Sequence, residues 1–269
     1  MERIRRPVVA GSFYPGSARE LKSFLASVFC PVPEKVKAVA VVSPHAGYVY
    51  SGRTAAEVFS KVVVPETVVV AGPNHRGWGE PYAVSPHDGW QTPLGVIPVD
   101  REFAALLCEK SRFLKPDAFA FAAEHSIEVQ LPFIQHANPS ASVVAICLQG
   151  TPRDPAFEEI GAAIAAVIRE KGADALVVAS SDMTHYEPRR SAERKDRAAL
   201  DAICGLDSRL LVERVEEMDI SMCGFAPVLV AIAAAKALGA KAGETVMYAT
   251  SGDVTGDDEV VGYAGVLIR

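Results

Sequence analysis

Three histidines, His45, His75 and His185, each come shortly after a run of residues that is rich in Val and Ala. In an open α/β sheet, ligands bind in the crevice outside the carboxyl ends of the strands. Imidazoles that meet there without a group of carboxylates suit a transition metal better than Mg²⁺ or Ca²⁺. The spacing therefore predicts a metal site that contains His45 and His75. The alternative is that each histidine only forms hydrogen bonds within its own loop.

Cys223 is the candidate for a third ligand. It comes immediately before an apolar, Ala-rich segment that ends at Leu238 and is predicted to be a buried helix. A thiolate at a helix N-terminus is favoured by the helix dipole, which lowers the pKa of the thiol and makes it a ligand or a nucleophile. The simpler interpretation is a small side chain in the core.

Asp182 and His185 are candidates for acid/base work beside the metal. They lie three residues apart after a predicted buried strand. An imidazole that titrates near neutral pH can move a proton to or from a substrate. We expect Asp182 to orient His185, or both side chains to face the metal. The alternative is a turn-capping aspartate beside a surface histidine.

Aromatic residues and a further histidine belong to the same neighbourhood. His125 lies in the segment EHSIE, where a helix would place it on one face with Glu128. It either reaches the cleft or is a buried structural histidine. Tyr48, Tyr50 and Trp78 lie in the loops of the strand-end histidines and are candidate walls of a pocket, although such residues often only pack.

The elements that must position these residues alternate between strands and helices. We predict strands at Val36–Val42, Thr67–Ala71, Ser142–Leu148, Asp174–Ser180, Thr245–Thr250 and Val260–Ile268. We predict helices from Ser17, at Gly52–Lys61, from Asp100 to about Lys110, over Glu124–Glu128, from Asp154 to about Lys171, and at Arg189–Cys204, Ser208–Met218 and Cys223–Leu238. Pro81–Ser85 and Leu94–Pro98 suggest a hairpin-like excursion over the sheet edge. This order predicts an α/β fold: a three-layer single domain, residues 1–269, with a largely parallel central sheet flanked by helices.

Composition excludes several classes of protein. The formal net charge is -6, whereas nonspecific nucleic-acid binding needs a basic face. No apolar run approaches the roughly 18 to 20 residues of a membrane span, and no secretory signal is evident. The five cysteines include no CxxC pair, so we expect no disulfide framework. We therefore expect a cytoplasmic protein that binds neither nucleic acid nor membrane. No GxGxxG, GxxxxGK[ST], GxSxG or HExxH motif indicates another type of site.

Several segments together resemble one known family. They are RRPVVAGSFYP, SPHAGYVYSG, GPNHRG, TPLG, EHSIEVQLPF, SSDMTHY, MCGFAPV and VGYAGVLI. The chain resembles the Memo family, whose bacterial and archaeal branch is called AmmeMemoRadiSam system protein B, from about Arg6 to Ile268. That family is similar in fold to the class III extradiol dioxygenases, which are non-haem iron enzymes.

The resemblance implies roles for particular residues. His45, His75 and Cys223 match the metal ligands of the family, where cysteine replaces the carboxylate of the dioxygenases. Asp182, His185 and His125 match its further pocket residues. The implied cofactor is iron (Fe²⁺), with copper or zinc as alternatives. Because the third ligand is a thiolate, which is itself oxidisable, cleavage of catechol rings cannot be transferred from the dioxygenases.

Three functions are compatible with these residues and motifs. The first is a metal-dependent, dioxygenase-like oxidoreductase that acts on a small-molecule substrate. The second is a non-enzymatic binding module that uses the same pocket for a peptide or a partner protein. A zinc site that supports hydrolysis is a third, weaker hypothesis. The family name also implies a functional link to radical-SAM and AMMECR1-type proteins.

Overall fold

The computed structural model describes residues 3–269, so that Met1 and Glu2 of the predicted domain lie outside the described residues. The strands are β1 (Ile4–Arg5), β2 (Ala40–Ser43), β3 (Thr67–Pro73), β4 (Tyr82–Val84), β5 (Gly89–Thr92), β6 (Gly95–Pro98), β7 (Lys115–Pro116), β8 (Ser142–Leu148), β9 (Ala175–Ser180), β10 (Glu187–Pro188), β11 (Gly243–Thr250), β12 (Glu259–Val260) and β13 (Gly262–Ile268). The α-helices are α1 (Ala18–Val28), α2 (Tyr48–Lys61), α3 (Arg101–Lys110), α4 (Leu131–Ala137), α5 (Ala156–Lys171), α6 (Arg189–Cys204), α7 (Ser208–Glu217), α8 (Phe225–Ala237) and α9 (Gly252–Thr255).

Eight strands form the central sheet, in the spatial order β11–β13–β2–β9–β3–β8–β4–β7. The four in the middle, β2, β9, β3 and β8, run parallel to one another. By contrast, β13 runs antiparallel to β2, and β4 runs antiparallel to β8. The parallel strands are buried along nearly their whole length, as expected of a sheet with helices on both faces. The predicted α/β fold with a largely parallel central sheet is confirmed.

Two hydrophobic clusters cover the two faces of this sheet. On one face, Val69 and Val177 belong to the cluster formed with α3, α5, α6, α7 and α8. On the other face, Val68 and Val178 belong to the cluster formed with α1, α2 and α4. Neighbouring residues of one strand thus serve opposite layers, which follows from the twofold alternation of side chains along a strand. None of the helices in residues 3–269 is long and apolar enough to cross a membrane.

The strand before His45 is shorter than the predicted Val36–Val42. It begins at Ala40, where its pairing with β9 and β13 starts, and ends at Ser43. Val36 makes only an isolated bridge with Val62. The strand therefore begins four residues later than predicted, and His45 lies two residues after its end.

The helix after His45 begins one turn earlier than the predicted Gly52. The backbone N–H of Tyr48 donates to the carbonyl of Phe13 at 2.7 Å, and α2 runs from Tyr48. The N-terminal segment thus provides an acceptor for the first turn of α2. This contact joins two separate segments, so the residues of α2 alone do not predict where the helix begins.

The segment EHSIE is not the predicted helix. Glu124 and His125 belong to no helix or strand, Ser126 and Ile127 form a turn, and a short 3-10 helix begins at Glu128. The reason lies in the Glu124 side chain, which accepts the backbone N–H groups of His125 at 2.9 Å and Ser126 at 2.8 Å. Such local bonds from side chain to backbone compete with helix formation. His125 and Glu128 therefore do not share a helix face.

The predicted hairpin also pairs differently. Tyr82–Val84, from the predicted Pro81–Ser85 piece, joins the central sheet beside β8. The hairpin is formed by β5 and β6, and β1 runs parallel to β5 to make a separate three-stranded sheet.

Candidate metal centre

The carboxyl ends of β2, β3 and β9 lie side by side, because β9 pairs in parallel with both β2 and β3. His45 follows β2, and His75 follows β3. The centroids of the two imidazole rings are 5.2 Å apart. Asp182 and His185 follow β9 and enter the same edge of the sheet.

Cys223 reaches this edge from the turn before α8. The turn lies against the end of β9, and a Cβ on Gly224 would be only 2.4 Å from the carbonyl oxygen of Ser180. Cys223 Sγ lies 3.1 Å from His45 Nε2. One donor atom from each of His45, His75 and Cys223 lies within 4.8 Å of the others, and we call these three residues the donor set.

Hydrogen bonds fix the tautomer of His45. Its Nδ1 lies 2.8 Å from Ser180 Oγ. That hydroxyl donates its single proton to the carbonyl of Ser126 at 2.7 Å, so it must accept the proton of His45 Nδ1. The lone pair of Nε2 therefore faces Cys223. Burial first, and then the neighbouring His75, lower the pKa of His45, which keeps the ring in the neutral form that binds metals.

Glu124 holds His75 through the corresponding atom. One carboxylate oxygen lies 2.9 Å from His75 Nδ1, and the other accepts the backbone N–H of His75 at 2.7 Å. Burial acts to raise the pKa of Glu124, but the hydrogen bond and charge of His75 and the N–H of Ser126 lower it to about 2. An ionised carboxylate behind the ring accepts the Nδ1 proton and leaves Nε2 free for a metal.

The pKa of Cys223 differs from the expectation based on the helix dipole. Burial, followed by the negative charge of Asp182, raises the pKa of this thiol well above its ordinary value. Cys223 also precedes α8 by two residues rather than lying in its first turn. A thiolate here requires a cation beside it, and a coordinated metal deprotonates a thiol outright.

Asp182 belongs to the site but does not orient His185. Asp182 Oδ1 accepts the backbone N–H of His45 at 2.7 Å, whereas His185 Nδ1 donates to the carbonyl of Ser221 at 2.9 Å. The predicted orienting contact is therefore wrong, and Ser221 has that role. One donor atom each from Asp182, His185 and Cys223 nevertheless lies within 4.8 Å of the others. Burial raises the pKa of Asp182 to about 6.

His125 reaches the cleft. Its ring stacks on the ring of His75, with centroids 4.7 Å apart, and packs against the ring of Phe13, with centroids 4.8 Å apart. Burial lowers the pKa of His125 to about 4, although Glu124 acts in the opposite direction. The neutral ring of His125 therefore forms a wall of the site.

A cavity of about 440 Å³ opens onto these residues. Of the aromatic residues predicted to wall it, only Tyr50 does so. Tyr48 is buried, and its hydroxyl donates to the carbonyl of Val129 at 2.7 Å. Trp78 stacks on Phe119 away from the cavity, with centroids 5.2 Å apart. The full lining is Phe13, His45, Ala46, Gly47, Tyr50, His75, His125, Asp182, His185, Tyr186, Ser251, Thr255, Asp257, Glu259, Val261 and Tyr263.

Three residues that hold the histidines of the site by hydrogen bonds are not predicted from the sequence: Glu124, Ser180 and Ser221. Glu124 is the main one, since only His125 of its segment is predicted as a site residue, and Glu128 is named only as its neighbour on a helix face. An acidic residue next to a candidate histidine is the signal that indicates it. Glu128 instead is completely buried and binds Arg5. Ser180 and Ser221 have no signal in the sequence, because their roles depend on contacts between distant segments.

Comparison with known proteins gives one family. The model of the Memo-like protein family matches residues 5–267. A MEMO1 family protein of Archaeoglobus fulgidus is 43% identical, over 99% of this chain and 100% of that protein. One from Methanopyrus kandleri is 41% identical over 98% and 99% of the two chains, and one from Aquifex aeolicus is 41% identical with the same coverage.

A solved structure supports the fold. The crystal structure of an uncharacterized protein from Escherichia coli K12 superposes with a TM-score of 0.57, covering 86% of this chain and 99% of that one, at 17% sequence identity. The fold and site define an α/β protein with a histidine and cysteine donor set at the strand ends. The chain belongs to the Memo-like family.

Proposed function

We propose that this chain is an iron-dependent oxidoreductase of the dioxygenase-like type, which holds Fe²⁺ on His45, His75 and Cys223 and acts on a small substrate. The observation that carries the proposal is the convergence of two imidazoles and one thiol whose donor atoms lie within 4.8 Å of one another. Two nitrogen donors and one sulfur donor suit a transition metal, and copper or zinc are the alternatives to iron.

The surroundings of the donor set fit a bound metal. Ser180 and Glu124 accept hydrogen bonds from the Nδ1–H groups of His45 and His75, so that both Nε2 atoms are available to a metal. Because burial and Asp182 raise the pKa of the Cys223 thiol, a cation beside the sulfur is needed to stabilise the thiolate form that binds a metal. When bound, the metal would supply Lewis acidity and one-electron redox chemistry.

The remaining residues supply proton transfer and shape. His185 donates from Nδ1 to Ser221, which leaves its Nε2 as a base that can accept a substrate proton. Asp182, with a pKa of about 6, is a second group that exchanges a proton near neutral pH. His125 and Tyr50 confine the substrate to a cavity of about 440 Å³. All five cysteines are free, which suits the reducing cytoplasm that we propose as its location.

Metal analysis tests the proposal. Protein purified without oxygen is loaded with Fe²⁺, freed of excess metal, and measured by elemental analysis, with Cu⁺ and Zn²⁺ loaded in parallel. We expect the wild type to retain stoichiometric iron and the double variant His45→Ala/Cys223→Ser to lose it. Cys30→Ser, which removes an exposed thiol that is not part of the donor set, is the control and should retain iron. Equal iron in the double variant and the wild type would contradict the donor set, and a wild type that retains no stoichiometric iron would contradict the choice of iron.

A further inference from the structure

Tyr263 lies where the last strand of the sheet meets the donor set. Because β13 runs antiparallel to β2, the beginning of β13 lies at the same edge as the carboxyl ends of the parallel strands. Met183 N donates to the carbonyl of Gly262 at 2.8 Å, and Gly262 N donates to the carbonyl of Thr184 at 2.9 Å. The backbone next to Tyr263 is thereby held against the loop that follows β9.

The close approach of these two segments depends on the glycine. A Cβ on Gly262 would lie 2.0 Å from Asp196 Oδ2 and 3.1 Å from the Cβ of Met183. The next residue in the strand, Tyr263, projects to the opposite face of the sheet. That face carries the cavity, and Tyr263 is one of its lining residues although only 2% of the side chain is exposed.

The hydroxyl of Tyr263 differs from those of other buried tyrosines. The buried Tyr14 donates to Glu128 at 2.7 Å and the buried Tyr48 to a carbonyl at 2.7 Å, and the half-buried Tyr248 donates to Asp196 at 2.7 Å. Ser251 hydrogen-bonds to the Tyr263 hydroxyl and acts to lower the pKa of Tyr263, as a donor to the phenolic oxygen does. Within residues 3–269, the Tyr263 hydroxyl donates to no acceptor within 3.5 Å. Buried tyrosine hydroxyls usually donate to a partner, so the proton of this one calls for an acceptor in the cavity.

The hydroxyl keeps its proton. Burial first, and then the negative charge of Asp182, raise the pKa of Tyr263 above its ordinary value. Among the described residues, neither a lysine nor an arginine lines the cavity. Of the hydroxyl-bearing residues that line the cavity, Tyr50, Tyr186 and Thr255 are exposed and Ser251 is half-buried, whereas Tyr263 is buried. Tyr263 is therefore the buried, uncharged hydroxyl donor available there for an electron-rich oxygen of a ligand.

We propose that Tyr263 is a substrate-contacting residue, whose hydroxyl donates a hydrogen bond to an oxygen of a ligand bound at the donor set. The ligand class is a small oxygen chelator, such as a hydroxamate, a 2-oxo acid or a vicinal diol, which offers one oxygen to the metal and one to Tyr263. This inference rests on the proposed function, because the ligand is placed by the same metal.

The test uses acetohydroxamate as the probe and isothermal titration calorimetry as the measurement. Wild type, Tyr263→Phe and Tyr82→Phe are loaded with Fe²⁺ without oxygen, and the iron content and melting temperature of each sample are measured. Tyr82 is the matched control, because its hydroxyl binds Asp154 outside the cavity. We expect Tyr263→Phe to bind the probe about tenfold more weakly, the size of one hydrogen bond to a charged oxygen. We expect Tyr82→Phe to bind it like the wild type.

The outcomes separate the two proposals. Wild type that retains iron but does not bind acetohydroxamate overturns the role of Tyr263, and so does equal affinity in wild type and Tyr263→Phe at equal iron content. An equal loss in Tyr82→Phe also overturns it, since the effect would then not be local. Wild type that retains no iron overturns the proposed function, and this inference with it. Because the hydroxyl donates to no protein acceptor, the melting temperature of Tyr263→Phe should stay close to that of the wild type.

Discussion

Each histidine of the donor set is held through its Nδ1 atom by a residue from another part of the chain. For His45 this residue is Ser180, and for His75 it is Glu124. The hold determines which nitrogen carries the lone pair, and it fixes the direction of the ring before any metal arrives. Affinity for metal should therefore depend on residues that never touch it.

Glu124→Gln tests this dependence. The amide removes the negative charge behind His75 and places an NH₂ group among the N–H groups of His75, His125 and Ser126. We expect metal affinity to fall by about 10- to 100-fold, the range found when such outer partners are changed. Competition against a chelator of known affinity measures it.

A glutamate outside the site provides the control. Glu159 accepts hydrogen bonds from the hydroxyl of Ser111 at 2.7 Å and the N–H of Arg112 at 3.0 Å. Glu159→Gln makes the same chemical change and should leave metal affinity unchanged. If Glu124→Gln bound metal as tightly as the control, the ring of His75 would not depend on this carboxylate.

Sequence patterns located some of these side chains and not others, for a physical reason. His45 and His75 could be predicted because each follows its own strand, and parallel strands end at one edge. Ser221 could not be predicted, because its carbonyl binds His185, which is 36 residues away in the sequence. A hydrogen bond between distant segments leaves no periodic pattern in either segment.

At the level of elements, the site depends on how closely the turn before α8 approaches the end of β9. Gly224 makes the approach possible, and it is adjacent to Cys223. A Cβ there would lie 2.4 Å from both the Ser180 carbonyl oxygen and the Ser181 Cβ, so the turn would have to move. The position of the thiol is therefore set by a residue without a side chain.

Gly224→Ala should affect stability and metal binding together. We expect the free energy of unfolding to fall by about 1–3 kcal/mol, as for other substitutions that overpack a buried contact. Displacement of Cys223 should also reduce the iron retained after loading. Urea unfolding and elemental analysis measure the two effects. In the control Gly205→Ala, the nearest atom is the Asp201 carbonyl oxygen at 3.2 Å, and iron should be retained. Full iron in Gly224→Ala would show that the turn tolerates a shift.

Element patterns predicted the parallel centre of the sheet more easily than its antiparallel border. A run of buried residues identifies β3, β8 and β9, but it does not specify the direction of β13. That direction brings the beginning of β13, and with it Tyr263, to the edge where the parallel strands end. Tyr263 therefore lies near the amino end of its strand, where the rule for the carboxyl ends of parallel strands does not predict a site residue.

For the molecule as a whole, a buried ion pair connects the N-terminal segment to the site. Arg5 is 4% exposed and binds the carboxylate of Glu128, which is fully buried. The same carboxylate accepts the N–H of Val9 at 3.0 Å and the hydroxyl of Tyr14 at 2.7 Å. The segment fixed in this way carries Phe13, which lines the cavity.

Arg5→Met tests how strongly this connection stabilises the fold. The substitution leaves the charge of Glu128 buried without its cation, which should lower the free energy of unfolding by about 3–5 kcal/mol. Arg153→Met is the control, because Arg153 pairs with Glu216 at the surface and should contribute little. Urea unfolding of both variants and the wild type measures the difference.

The double variant Arg5→Met/Glu128→Gln separates charge from packing. If the loss in Arg5→Met comes from the unpaired carboxylate, then neutralising Glu128 should recover part of it, because the buried charge is gone while one oxygen remains for Val9 and Tyr14. A double variant that is less stable than Arg5→Met would mean that the hydrogen bonds to the charged Glu128 stabilise the N-terminal segment more than its unpaired charge costs. In that case Glu128, rather than the ion pair, is what holds Phe13 at the cavity.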